Sequence, residues 1–122
     1  MLGSIVKFTG GGTPSKNNID YWNGDTPWIS SSDISENSIY NISISRFITH
    51  KAIKESAAKL IPANSILLVS RVGVGKLAIT HQEITTSQDF TNITTQKENI
   101  VFLAYFLKNM KKHYLLLAKE WQ

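Results

Sequence analysis

The sequence predicts an α+β fold, a β-rich body followed by a C-terminal amphipathic helix or helix pair. Three observations carry that expectation. Ser65 to Arg71 contains a continuous apolar run bounded by turn residues, the pattern of a strand buried on both faces. Residues 38–48 alternate with a period of two, as an extended segment does. From Ile100 onward apolar residues recur at three- and four-residue steps with neither glycine nor proline, as on an amphipathic helix.

The elements follow in order. Ser4 to Phe8 is a candidate first strand, stopped by Gly10-Gly11-Gly12, a run that supplies positions where φ can be positive. Thr13-Pro14-Ser15-Lys16-Asn17-Asn18 continues as loop, stiffened by Pro14. Tyr21-Trp22-Asn23-Gly24-Asp25 reads as a turn, because Asn-Gly favours left-handed backbone. Thr26 to Ser30 is a short extended piece, and Ser31, Ser32 and Asp33 form a polar loop. Thr49 can cap a short helix running to about Ala58, with Ala52, Ile53 and Ala57 on one side. Pro62-Ala63-Asn64 is a turn before the strand at Ser65. Val72 to Lys76 is a glycine turn and Leu77 to His81 the return strand. Thr85 to Thr95 is polar and mixes loop with short strands. Ile100, Leu103, Ala104, Leu107, Met110, Tyr114, Leu117, Ala118 and Trp121 mark the helical stripe. The expected organisation is one domain over 1–122, with 1–97 mostly strands and loops, one short helix near 50–58, and 98–120 helical.

Length and composition bound the function. One domain fits 122 residues, and 42% hydrophobic against 18% charged residues can bury a core. Without cysteine the chain has no disulfide, thiolate nucleophile or Cys-ligated zinc. The apolar runs are far shorter than the ~20 residues of a membrane span, and the N-terminus lacks signal-peptide anatomy, so a cytoplasmic protein is expected. The net charge is +4, of which residues 97–122 carry +3 and the first 96 residues +1. A pI near 9.4 permits an anionic partner without requiring one.

Catalytic motifs are weak. His50, His81 and His113 stand at no metal-ligand spacing, Gly-x-Ser-x-Gly is absent, and the carboxylates Asp20, Asp25, Asp33 and Glu36 fall in loops. No catalytic residue, metal site or cofactor site is expected. Gly73-Val74-Gly75-Lys76 fails the phosphate-loop pattern twice, since Ser70 stands where its first glycine belongs and Leu77 follows the lysine. It reads as a tight turn whose flanking Arg71 and Lys76 can contact a nucleic-acid phosphate. The polar loop at Ser15 to Asn18 can donate to phosphates or base edges, although an ordinary solvated loop has the same composition.

These pieces occur together in a recognisable order: Gly11-Gly12-Thr13-Pro14-Ser15, Tyr21-Trp22-Asn23-Gly24-Asp25, Pro27-Trp28-Ile29-Ser30, then Asp33-Ile34, Ile48-Thr49 and Ala52-Ile53. Ala58 to Pro62, Ile66 to Arg71, Gly73, Gly75-Lys76, Ala78-Ile79 and Thr86-Ser87-Gln88-Asp89-Phe90 complete the series. The series, over roughly residues 5–118, resembles the target recognition domain of type I restriction–modification specificity subunits. The resemblance implies a non-catalytic module that reads one half of a split duplex DNA target. Adenine methylation with S-adenosylmethionine would then reside in modification subunits, and ATP- and Mg-dependent translocation and cleavage in a restriction subunit. That family carries two such domains separated by long helices, and this sequence is expected to be a single one, ending where a spacer helix would begin.

The expected DNA-binding residues are Lys16, Arg71 and Lys76 as phosphate or guanine contacts, and Asn17, Asn18, Ser31, Ser32 and Gln88 as polar readers. Trp22, Trp28, Pro14 and Gly75 are expected to serve the scaffold. The expected partners are double-stranded DNA, modification subunits and a restriction subunit, with self-association through the C-terminal helix as a further possibility. The competing reading is an interaction or decoy protein that docks through its C-terminal helix and reads no DNA.

Overall fold

The computed structural model describes residues 6–71, 75–95 and 100–120, with side chains through Met110. Its elements are β1 (Lys7–Gly10), β2 (Thr26–Ile29), β3 (Arg46–Ile48), α1 (His50–Glu55), β4 (Ser65–Val69), β5 (Leu77–Thr80), β6 (Thr85–Thr86), β7 (Phe90–Thr94) and α2 (Ile100–Glu120), with short 3-10 turns at Ile19–Tyr21 and Ser31–Asp33. The strands form two sheets: one in the order β1-β7-β4-β5, and one in the order β3-β2-β6. The first is antiparallel throughout, and β2 pairs β3 antiparallel and β6 parallel.

Alternation along β4 and β5 explains the layering. Leu67, Val69 and Ala78 point to one face of the larger sheet and meet Ile29, Ile61, Ile84 and Phe90 in a shared core. Ile66, Leu77 and Ile79 point to the other face and meet Ile100 and Ala104 of α2. The larger sheet is therefore covered on both faces, as the continuous apolar run predicts. On the smaller sheet Trp28 and Ile48 face outward and pack with Ala52 of α1 and Ala58. Thr49 caps α1 as expected, its hydroxyl accepting from the Ala52 N–H at 3.2 Å.

Several expectations are corrected. β1 begins at Lys7 rather than Ser4, and Ser4 and Ile5 lie outside the described residues. Only Arg46–Ile48 of the alternating segment 38–48 is strand, beyond a single bridge between Ile34 and Ile42. The alternation still records burial, because Ile42 and Ile44 pack against the shared core. α1 ends at Glu55, so Ala57 lies beyond it and is exposed, while Ala58 is buried. Of the expected helical stripe, Leu107 packs against the sheet and Met110 is exposed. Tyr114, Leu117, Ala118 and Trp121 lie outside the described side chains, and Val72 to Val74 outside the described residues.

The glycines also act differently from expectation. Among the described residues positive φ occurs at Asn64 (64°) and Gly75 (97°), and neither the Gly10–Gly12 run nor Asn23-Gly24 uses it. Close approach is what Gly11, Gly12 and Gly24 provide. A Cβ on Gly11 would stand 2.2 Å from the Ser87 carbonyl oxygen, one on Gly12 2.5 Å from the Ala57 backbone, and one on Gly24 2.1 Å from the Ile48 carbonyl oxygen.

Candidate functional site

Strand direction brings one set of loops together. β1, β2, β4 and β6 all finish at one end of the two sheets, where β3, β5 and β7 begin, as the pairings Gly10↔Thr91, Trp28↔Arg46, Trp28↔Thr85, Leu68↔Leu77 and Val69↔Phe90 require. That rim gathers the start of the Gly11–Asn18 loop, the Ser30–Asp33 turn, Arg46, Ser70 and Arg71 after β4, Lys76 before β5, and Ser87–Asp89. Loops on a rigid sheet end can vary in side chain without disturbing the core.

Hydrogen bonds lock the rim segments to one another. The Gly12 N–H donates to the Thr86 carbonyl at 2.9 Å, and the Ser87 N–H to the Ile29 carbonyl at 2.9 Å. The Trp28 Nε1–H donates to the Gly12 carbonyl at 3.0 Å. Trp22 meets Trp28 edge-on, with ring centroids 5.1 Å apart, and donates its own Nε1–H to the Ser15 carbonyl at 2.9 Å. These contacts give Trp22 and Trp28 the scaffold role expected of them. Pro14 is buried.

Five of the expected site residues share this rim. Lys76 donates from Nζ to the Ser31 carbonyl at 2.7 Å, which joins the start of β5 to the Ser30–Asp33 turn. Ser32 is exposed, and its hydroxyl lies 3.0 Å from that of Ser30. Arg71 is exposed and its Nε stands 4.0 Å from the Asp89 carboxylate. Gln88 is exposed and accepts through Oε1 from the Thr13 hydroxyl, linking the two loops. Lys16, Asn17 and Asn18 stand apart. Asn18 caps the Ile19–Tyr21 turn by accepting from the Asp20 N–H at 3.0 Å, and that turn packs on α1. Lys16 and Asn17 are exposed on the same stretch, and among the described residues no hydrogen bond joins them to the Ser30–Asp33 turn.

With this geometry in place, the comparison with known proteins is direct. The sequence profile of the type I restriction modification DNA specificity domain matches residues 1–121. The chain belongs to this family. It is 40% identical over 107 residues to the type I restriction enzyme MjaIX specificity subunit of Methanocaldococcus jannaschii, covering 85% of this chain and 24% of that subunit. It is 49% identical over 74 residues to the type I restriction enzyme EcoR124I/EcoR124II specificity subunit of Escherichia coli, covering 60% of this chain and 18% of that subunit. Its fold matches the crystal structure of the HsdS subunit from Thermoanaerobacter tengcongensis with a TM-score of 0.70 at 11% identity, over 92% of this chain and 27% of that one. The specificity domain thus spans between 18% and 27% of the length of these relatives.

Sequence reasoning missed one member of this specificity domain's rim. Arg46 opens β3 opposite Trp28, and its guanidinium carbon lies 4.6 Å from the Trp28 ring centroid. Its Nη2 donates to Ser30 Oγ at 3.0 Å and to Asp33 Oδ2 at 3.2 Å. The same Asp33 oxygen accepts the Ser30 N–H at 2.9 Å. Only the period-two segment around Arg46 was visible in sequence, and its partners lie in other loops. Away from the rim, Tyr21 donates its phenol to Glu55 Oε1 at 3.0 Å. That hydrogen bond to a carboxylate holds the Tyr21 pKa above its ordinary value. No helix among the described residues is long and apolar enough to cross a membrane.

Proposed function

We propose that this specificity domain reads one half of a split duplex DNA target, within a complex whose other subunits methylate adenine and cleave. The observation that supports this most is the rim itself. Segments distant in sequence converge there, carrying hydroxyl, amide and cationic groups. Lys76 is the cation held there by a neutral carbonyl rather than a carboxylate, so its full charge remains available to a phosphate. In this reading Arg71, Gln88, Ser31 and Ser32 on the same rim contribute the further DNA contacts. Lys16, Asn17 and Asn18 belong to a second, neighbouring contact stretch. S-adenosylmethionine, ATP and Mg belong in this reading to partner subunits.

The exposed side of α2 supports a second role for the same domain. Val101, Phe102, Tyr105 and Phe106 are all exposed there, a face suited to a modification subunit or to another copy of the chain.

Selection of bound duplexes from a randomised pool at low salt, followed by a salt titration of the winner, tests the DNA reading. An enriched short motif with salt-sensitive binding is the expected result. Lys76→Met is expected to lower the slope of log K against log salt by about one while sparing the motif. Arg71→Ala is expected to weaken binding and leave the thermal midpoint nearly unchanged, since its side chain is 66% exposed. Absence of any enrichment would sink the reading, and a large stability loss in Arg71→Ala would reassign that residue to structure.

A further inference from the structure

We propose that Arg46 reads a guanine edge at the rim, with Asp33 and Trp28 as its positioning residues. The inference rests on the DNA reading above and names a contact within it.

Three restraints fix the guanidinium. The Trp28 ring lies under it at 4.6 Å, Ser30 Oγ accepts from Nη2 at 3.0 Å, and Asp33 Oδ2 accepts from Nη2 at 3.2 Å. Each restraint is itself anchored. Trp28 is buried and bonded to the Gly12 carbonyl, and Asp33 is tied to the Ser30 N–H. The donors on Nη1 and Nε have no protein partner among the described residues, and the Arg46 side chain remains 40% exposed. A planar cation held this way loses little rotamer freedom when it meets a second acceptor.

Charge decides between a base and a phosphate. The Asp33 carboxylate already neutralises Arg46, so a phosphate contact would release little counterion. Nη1 still carries two N–H donors in the guanidinium plane, and in the major groove guanine presents its O6 and N7 acceptors side by side. Lys76, joined to the same turn through Ser31, supplies the neighbouring unneutralised charge. The turn therefore carries one cation that attracts and one that discriminates.

The test applies the pool selection to the full 122-residue chain and to Arg46→Lys, Arg46→Gln and Asp33→Asn, with thermal unfolding and a salt titration of each. The parent is expected to require guanine at one position. Arg46→Lys keeps the charge and loses the planar pair of donors. It is expected to relax that single position by roughly 5- to 150-fold, with the other positions, the salt slope and the midpoint unchanged. Asp33→Asn is expected to relax the same position and no other. An unchanged motif in Arg46→Lys and Arg46→Gln overturns the assignment and leaves the DNA reading standing. A uniform loss over all sequences with a lower salt slope overturns it in favour of a phosphate contact. Loss of cooperative unfolding in both Arg46 variants makes the residue structural. No motif in the parent removes the DNA reading and this assignment together.

Discussion

Gly10, Gly11 and Gly12 look equivalent in sequence and are not equivalent in the fold. Gly10 ends β1 with nothing within 4 Å of the position its Cβ would take. Gly12 faces the Ala57 backbone at 2.5 Å, a contact that only a backbone shift can relieve. Gly10→Ala is therefore expected to be neutral or stabilising by up to ~1 kcal/mol, through a less flexible unfolded chain. Gly12→Ala is expected to cost at least about 1–3 kcal/mol, as overpacking does. Urea unfolding of the two variants checks both, and equal midpoints would contradict the close-approach explanation. Arg46 makes the same point for function. Its identity was plain in the sequence, but its value depends on Trp28, Ser30 and Asp33, which reach it only through the pairing of β2 with β3 and the turn beyond.

At the scale of elements, legibility followed side-chain chemistry. β2, β4, β5, the Thr49 cap and the C-terminal helix were readable, because each has an apolar pattern or a local polar signal. β7 was not. Its Thr91, Asn92 and Thr94 give it the look of a loop, yet it lies inside the larger sheet between β1 and β4. Each of these side chains makes a hydrogen bond, Thr91 with the Ser70 hydroxyl at 2.9 Å, Thr94 with the Ser65 hydroxyl at 2.9 Å, and Asn92 through Nδ2 with the Thr86 hydroxyl at 2.9 Å, while the buried Asn92 Oδ1 accepts none among the described residues. These hydrogen bonds add to the burial of Phe90 and Ile93, and no local pattern announces them. α2 shows the opposite asymmetry, with Ile100 and Ala104 buried and Phe102 68% exposed. Ile100→Ala is expected to lose about 2–5 kcal/mol. Phe102→Ser is expected to stay within about 0.5 kcal/mol of the parent in the same urea titration. A matching loss in Phe102→Ser would mean that its side chain is covered in solution.

For the whole molecule, charge and extent set the expected strength of binding. The first 96 residues, which build the rim, carry a net charge of only +1. Non-specific attraction to DNA comes mainly from neutralised phosphates, so the isolated chain is expected to bind random duplex with a Kd of about 10⁻⁴ M or weaker at physiological salt. Fluorescence anisotropy with a labelled random duplex measures this, and tight salt-insensitive binding would contradict the charge argument. The five rim residues Ser31, Ser32, Arg71, Lys76 and Gln88 were accessible to sequence reasoning because they flank recognisable motifs. Their gathering at one end, and the separation of Lys16, Asn17 and Asn18 from it, come from strand order, which no short window of sequence contains.

The parallel pairing of β2 with β6 also bears on time. Trp28 meets Thr85, and Lys7 meets Thr94, so neither sheet can close until nearly all of the β body has left the ribosome. Such distant pairings must pay loop-closure entropy before any contact rewards it, and they form late and slowly. Trp28 sits at this closure, with its indole against Trp22, Arg46 and the Gly12 carbonyl. Alongside Trp22 and Trp121, its fluorescence is expected to follow assembly of the smaller sheet, without which the rim does not exist.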